Sequence, residues 1–143
     1  MIKSGIYPKS SVDLLQLVSK IQKDIKDSEV GAIITFLGVS KEKSTVSDKK
    51  VKSVIIEAYK DEADKIIEKI CSDLKSKYSL NSISIIHLEG EFLPTEPIVT
   101  VIVAAESREQ AFKAIMEAIE RYKKEPPIFK KENYTDGSSQ WIF

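Results

Sequence analysis

The densest chemistry in this sequence lies between residues 123 and 132. Lys123 and Lys124 stand ahead of Glu125-Pro126-Pro127, and Lys130, Lys131 and Glu132 follow Ile128-Phe129. A proline turn can hold Lys123 and Lys130 around one pocket, where their ammonium groups would meet an anion such as a phosphate. Arg108 would add a phosphate contact from the start of the helix that ends near Lys123, with the helix N-terminus helping. Arg108 and Arg121 are the only arginines among 22 basic residues, and arginine alone offers a rigid fork to phosphate or carboxylate. A plainer reading stands beside this one, in which lysines complement a helix C-terminus and then line an exposed strand.

Composition removes several other chemistries. Basic and acidic residues number 22 each, so the formal net charge is zero and neither nucleic acid nor a membrane surface is an expected partner. A single cysteine, Cys71, forms no internal disulfide and no cysteine cluster for zinc. Cys71 falls on a helical apolar stripe and reads as a core residue. The single histidine, His87, leaves no histidine-rich metal site. Gly31 and Gly38 fit neither a phosphate-binding loop nor a dinucleotide motif. No metal site and no cofactor is expected. The first residues show no apolar targeting stretch and no run is long enough for a membrane span, so a cytoplasmic location is expected.

The elements that must position these groups follow from periodicity. Apolar residues at helical spacing predict helices over residues 11–26, 60–78 and 108–124, the first capped by Ser10 or Ser11 and the third by Glu106-Ser107. β-rich runs predict strands at 30–38, 51–59, 82–92, 98–105 and 128–134. A hairpin through Asp136-Gly137 closes on 140–143, and a further short strand near 2–7 is possible. Residues 39–50 are polar without a clean period and read as a mobile, exposed loop. The chain is read as one domain over residues 1–143, of α+β class, with a mainly antiparallel sheet and three helices packed on it.

The wording of several segments is specific. Gly31-Ala32-Ile33-Ile34-Thr35-Phe36-Leu37-Gly38 resembles the Gly-Ala-x-x-x-Phe-x-Gly signature of the large, catalytic subunit of molybdopterin synthase, the MoaE family. Glu57-Ala58-Tyr59, Ile86 to Glu91, Ser107 to Phe112, Lys123 with Pro127-Ile128-Phe129-Lys130-Lys131-Glu132, and Asp136 to Trp141 keep the family's order. The resemblance runs from Gly31 through nearly the whole remaining chain, and the Pro-Ile-Phe-Lys-Lys-Glu segment is its most specific part.

The resemblance implies an α/β-hammerhead fold and a sulfur transfer. The family installs a dithiolene on cyclic pyranopterin monophosphate to make molybdopterin. Its sulfur comes from the thiocarboxylated Gly-Gly tail of a small ubiquitin-like carrier subunit, MoaD-like, that docks on a homodimer of the large subunit. Lys123 and Lys130 match the family's catalytic lysines. Arg108 matches a phosphate contact, and Val39, Ser40, Lys41, Ser107, Lys131 and Glu132 match substrate-site positions. Ser107 replaces a usual histidine, Ser40-Lys41 replaces a usual arginine after the glycine motif, and Leu88 follows His87 where arginine is usual. His87 is therefore assigned to the sheet. The apolar segment 98–105 and Trp141-Ile142-Phe143 add compositional support for a dimer, against the plainer reading that they fill the core. A non-catalytic homologue that still binds the carrier is the alternative.

Overall fold

Residues alternating at period two build a sheet that the helices then cover from both sides. In the computed structural model, which describes residues 2–143, the strands are β1 (Gly5–Pro8), β2 (Ala32–Val39), β3 (Val51–Ala58), β4 (Ser82–Phe92), β5 (Pro97–Ala105), β6 (Ile128–Tyr134) and β7 (Ser139–Ile142). The helices are α1 (Leu14–Asp24), α2 (Lys60–Lys77) and α3 (Arg108–Lys124). The sheet runs β2-β5-β4-β3-β6-β7, and β1 lies parallel to β4. All other pairings are antiparallel, in keeping with the α+β expectation.

Strand β4 is shared between two halves of the sheet. Its first part, Ser82 to His87, pairs with β5, and its last part, Gly90 to Phe92, pairs with β3. Gly90 has φ +139°, and a Cβ there would sit 3.1 Å from that of Lys9. Only glycine accepts that backbone without strain, so the strand changes course there. β2 and β3 follow each other in sequence but do not pair. β2 lies on β5, whereas β3 lies between β4 and β6. The connection of residues 40–50 therefore crosses from one half of the sheet to the other.

One face carries the larger core. Ile67, Ile70 and Leu74 of α2 and Ala111, Ala114 and Ala118 of α3 pack on Val99, Val101 and Val103 of β5. The small residues on α3 let that helix approach closely. On the other face Leu14 joins Val54, Ile56, Ile86, Phe92 and Tyr134. Because β5 is covered from both faces, burial within one chain accounts for the apolarity of 98–105. Trp141 is partly exposed and Phe143 fully so. Among the described residues no helix is long and apolar enough to cross a membrane.

Two expectations need correction. Helix α1 starts at Leu14 rather than near residue 11, with Asp13 as its cap: the carboxylate accepts from the Leu15 and Gln16 amides at 3.0 and 3.3 Å. Lys9 to Ser11 form a 3-10 turn, and the Ser11 hydroxyl donates to the Pro8 carbonyl instead of capping α1. Residues 39–50 are mostly exposed, as expected, but they are tied down rather than free. Ser40 and Ser44 are buried, the Val51 amide donates to the Glu42 carbonyl at 2.7 Å, and Lys43 and Lys50 form a bridge.

His87 belongs to this framework. It is buried on β4, its Nδ1 lies 3.0 Å from the Leu88 carbonyl, and its ring meets Tyr122 edge-on at 5.7 Å. Burial lowers its pKa to about 4. The unfolded chain takes up this proton near 6.5, so stability is complete above that pH and declines as pH falls towards 4. We expect a loss of roughly 3 kcal/mol across that window, read by denaturant unfolding at several pH values. His87→Gln, which keeps a donor for the carbonyl, should flatten that slope whatever its stability at pH 7.

Candidate functional site

The proline turn expected to bring lysines together does so. Helix α3 ends as the Glu125 amide donates to the Arg121 carbonyl, and Pro126 and Pro127 prevent its continuation. Arg121 clamps this end through two hydrogen bonds to Glu125, at 2.6 and 2.9 Å, and an ion pair to Asp73 of α2 at 3.0 Å. Its fork is therefore occupied structurally. The Pro127 carbonyl accepts from the Tyr59 amide at 3.1 Å, and the chain enters β6 at Ile128. Lys123, in the last turn of α3, and Lys130, on β6, line one cavity of about 240 Å³.

Residues from β2 and the following loop close that cavity. A register shift between Gly38 and Val39 comes just before β2 leaves β5. A Cβ at Gly38 would come within 2.6 Å of a Val99 methyl, so the close approach requires glycine. Ser40 is then held by its backbone, its amide donating to the Glu96 carbonyl and its carbonyl accepting from the Thr95 amide. Val39, Ser40, Lys41 and Thr45 line the cavity, with Val54, Ile98 and Glu132. The Ser40 hydroxyl is buried, and among the described residues it has no hydrogen-bond partner. A buried hydroxyl without a partner is costly, and one lining a cavity is placed to meet a ligand.

Glu132 is the charged anchor. It is 1% exposed, yet its Oε1 accepts from the Ser44 hydroxyl at 2.6 Å and from the Tyr134 hydroxyl at 2.8 Å. Its Oε2 accepts from the Thr45 amide at 3.1 Å and the Thr45 hydroxyl at 3.2 Å. Burial alone would raise the pKa of this carboxyl. The hydrogen bonds from Ser44, Thr45 and Tyr134 and the nearby Lys130 charge outweigh it, so Glu132 stays ionised below the ordinary glutamate value.

Lys130 shows the opposite balance. Desolvation lowers its pKa, Lys41 and Lys123 lower it further, and Glu132 partly offsets them. Such lowering is general for lysines crowded into one pocket. Three ammonium groups and one carboxylate, itself saturated with donors, leave the cavity positive and suited to an anion.

The other residues singled out from sequence lie elsewhere. Strand alternation sends Lys131 to the face opposite Lys130, where its ammonium sits 5.7 Å from the centre of the Trp141 ring. Ser107 and Arg108 begin α3, so Arg108 stands about 22 Å along the helix from Lys123 at the standard rise. The Ser107 amide and hydroxyl both donate to Gln110, at 3.2 and 2.9 Å, which serves the helix start. Thr45, Val54 and Ile98 were not legible as site residues. Thr45 sat in a stretch without period, and the other two carry only apolar side chains.

Comparison with known proteins places this geometry. The molybdopterin synthase catalytic subunit of Bos taurus is 37% identical over 111 residues, covering 78% of this chain and 58% of that protein. The chain thus spans little more than half of that relative's length. The molybdopterin synthase catalytic subunit of Dictyostelium discoideum is 33% identical over 142 residues, covering 97% of this chain and 88% of that protein. The crystal structure of molybdopterin synthase from Staphylococcus aureus superposes with a TM-score of 0.86 at 26% identity, over all of this chain and 98% of that one. A family model described as MoaE protein matches residues 11–125, and the chain belongs to the MoaE family.

Proposed function

We propose that this chain is the sulfur-transferring large subunit of a molybdopterin synthase. Its substrates would be cyclic pyranopterin monophosphate and the thiocarboxylated Gly-Gly tail of a small ubiquitin-like carrier. The observation that carries the reading is the convergence of Lys41, Lys123 and Lys130 on one partly enclosed cavity beside an ionised, buried Glu132. At each of the two pterin side-chain carbons a thiocarboxylate sulfur forms a carbon–sulfur bond as a carbon–oxygen bond breaks, the oxygen leaving as water or with the phosphate. Water then cleaves the acyl–sulfur bond, leaving the sulfur on the pterin and a carboxylate on the carrier. The ammonium groups neutralise the phosphate and the oxyanion of the acyl step. Lys130, with its weakened proton affinity, exchanges protons. The Ser40 hydroxyl donates to a substrate oxygen. The same reading places the reaction in the cytoplasm.

Arg108 joins this scheme only from a second copy. A single straight helix separates it from Lys123 of its own chain, and a rigid helix does not fold back. We therefore include a homodimer in the proposal, with Ser107, Arg108 and, by the same geometry, Lys131 acting outside their own chain's cavity. Exposed Trp141 and Phe143 are consistent with a surface that a second protein covers.

Two outcomes are expected. Purified protein with thiocarboxylated carrier and cyclic pyranopterin monophosphate should form molybdopterin, and Lys123→Ala or Lys130→Ala should slow it on the order of 10²–10³-fold at unchanged fold. Carrier binding without product from the wild-type protein would instead favour a non-catalytic carrier-binding homologue. Mixing inactive Lys123→Ala with inactive Arg108→Ala should restore part of the activity, because a mixed dimer keeps one site with both groups intact. Full activity of Arg108→Ala, or no recovery on mixing once exchange of subunits is confirmed by mass, counts against the shared site.

A further inference from the structure

Lys130 and Glu132 share one face of β6, two residues apart, and no direct ion pair joins them among the described residues. Strand rise separates such positions by roughly 7 Å, a gap that long side chains can span, yet here a hydroxyl stands between the two charges. The bridge comes from the loop. The Lys130 ammonium donates to the Thr45 hydroxyl oxygen at 3.4 Å, and that hydroxyl donates to Glu132 Oε2 at 3.2 Å. A hydroxyl has one proton and two lone pairs. Once its proton is committed to the carboxylate, only a donor can satisfy the other side. The chain of bonds therefore has one direction, from ammonium through hydroxyl to carboxylate, and each bond polarises the next.

We propose that Thr45 is a positioning residue that aims the Lys130 ammonium into the cavity and sustains its positive charge. The claim rests on geometry. The Thr45 backbone is itself pinned to Glu132 by its amide at 3.1 Å, so its hydroxyl cannot swing away with a mobile loop. Ser44 reinforces this, holding Glu132 with its hydroxyl while that oxygen accepts from the Val46 and Ser47 amides at 3.2 and 3.1 Å. The charged groups facing Lys130 are Glu132 on its own strand, Lys41 on the loop and Lys123 on α3. Two of these three repel its charge. Thr45 adds an acceptor that strengthens with that charge, and so resists deprotonation. Loop conformation thereby fixes the place of this lysine and adds to the hold on its proton, against the burial and the two lysines that weaken it.

The work assigned to Lys130 comes from the sulfur-transfer reading, whereas its titration does not, so two measurements separate them. The first is the pH dependence of Lys130 acylation by acetic anhydride, followed by peptide mass spectrometry on the full chain. Thr45→Val, which removes the hydroxyl at nearly constant volume, should lower the apparent pKa of Lys130 by about one pH unit. Thr45→Ser should restore it. The second is the reconstituted reaction, where Thr45→Val should lower kcat about tenfold with KM little changed and shift the pH profile in the same direction. An unshifted Lys130 titration in Thr45→Val overturns the proposal. So does Thr45→Ser behaving like Thr45→Val, because the effect would then belong to packing. A shifted and rescued titration in a protein without synthase activity supports the positioning role while removing the sulfur-transfer reading.

Discussion

The buried carboxylate of Glu132 sets the terms for the rest of the site. Taking an ionised group out of water costs several kcal/mol unless it is richly hydrogen-bonded. Here four donors from Ser44, Thr45 and Tyr134 meet its two oxygens. Two of the three residues lie on the connection between β2 and β3. That connection must therefore lie across β6 rather than extend into solvent, which brings Ser40 and Lys41 over Lys130. The cavity roof is a consequence of satisfying one charge. The same dependence makes the arrangement brittle, since losing donors leaves a buried charge uncompensated.

The glycine pair that frames the Gly-Ala-x-x-x-Phe-x-Gly segment has a packing explanation independent of chemistry. A Cβ on Gly31 would stand 2.1 Å from the Glu106 carbonyl oxygen, and one on Gly38 would strike Val99. Gly31 lets β2 begin flush against the end of β5, where its amide donates to the Ala105 carbonyl at 2.9 Å. Gly38 sits at the register shift, past which Val39 still pairs with Pro97 as the last residue of the strand. Between them β2 is fixed at both ends. The following residues thus reach the cavity at a defined height above the sheet.

Much of this was legible in the chain of letters, and the failures share a cause. Helices α2 and α3 announce themselves because burial on one face imposes a period, and β5 because burial on both faces makes it a continuous apolar β-branched run. Lys123 and Lys130 could be placed together because prolines restrict the turn between them. Arg108 and Lys131 were expected at the same site, but the rise of α3 parts Arg108 from Lys123 and strand alternation parts Lys131 from Lys130. The sheet order was not legible, because β3 finds β6 across more than seventy residues and local pattern carries no such pairing. Glu132 was singled out only through the family resemblance, since by its letters it is one more charge in a lysine run. Its burial depends on hydroxyls some 87 residues away, in a stretch whose polarity resembles that of any exposed loop.

Electrostatics link binding to proton movement in this cavity. Lys41, Lys123 and Lys130 attract an anion more strongly together than singly, but they also repel one another. Lys130, the one most removed from water, has its pKa lowered first by that burial and then by the repulsion of Lys41 and Lys123. An anion entering the cavity reverses the balance: it offsets the neighbouring cations and raises the proton affinity of Lys130 again. Departure of the anion, or consumption of its charge, weakens that hold on the proton again. The lysine is thus a better acid when the cavity is empty than when it is filled. Glu132, already committed to its donors, takes little part in this exchange and holds the geometry constant while the charge on Lys130 varies.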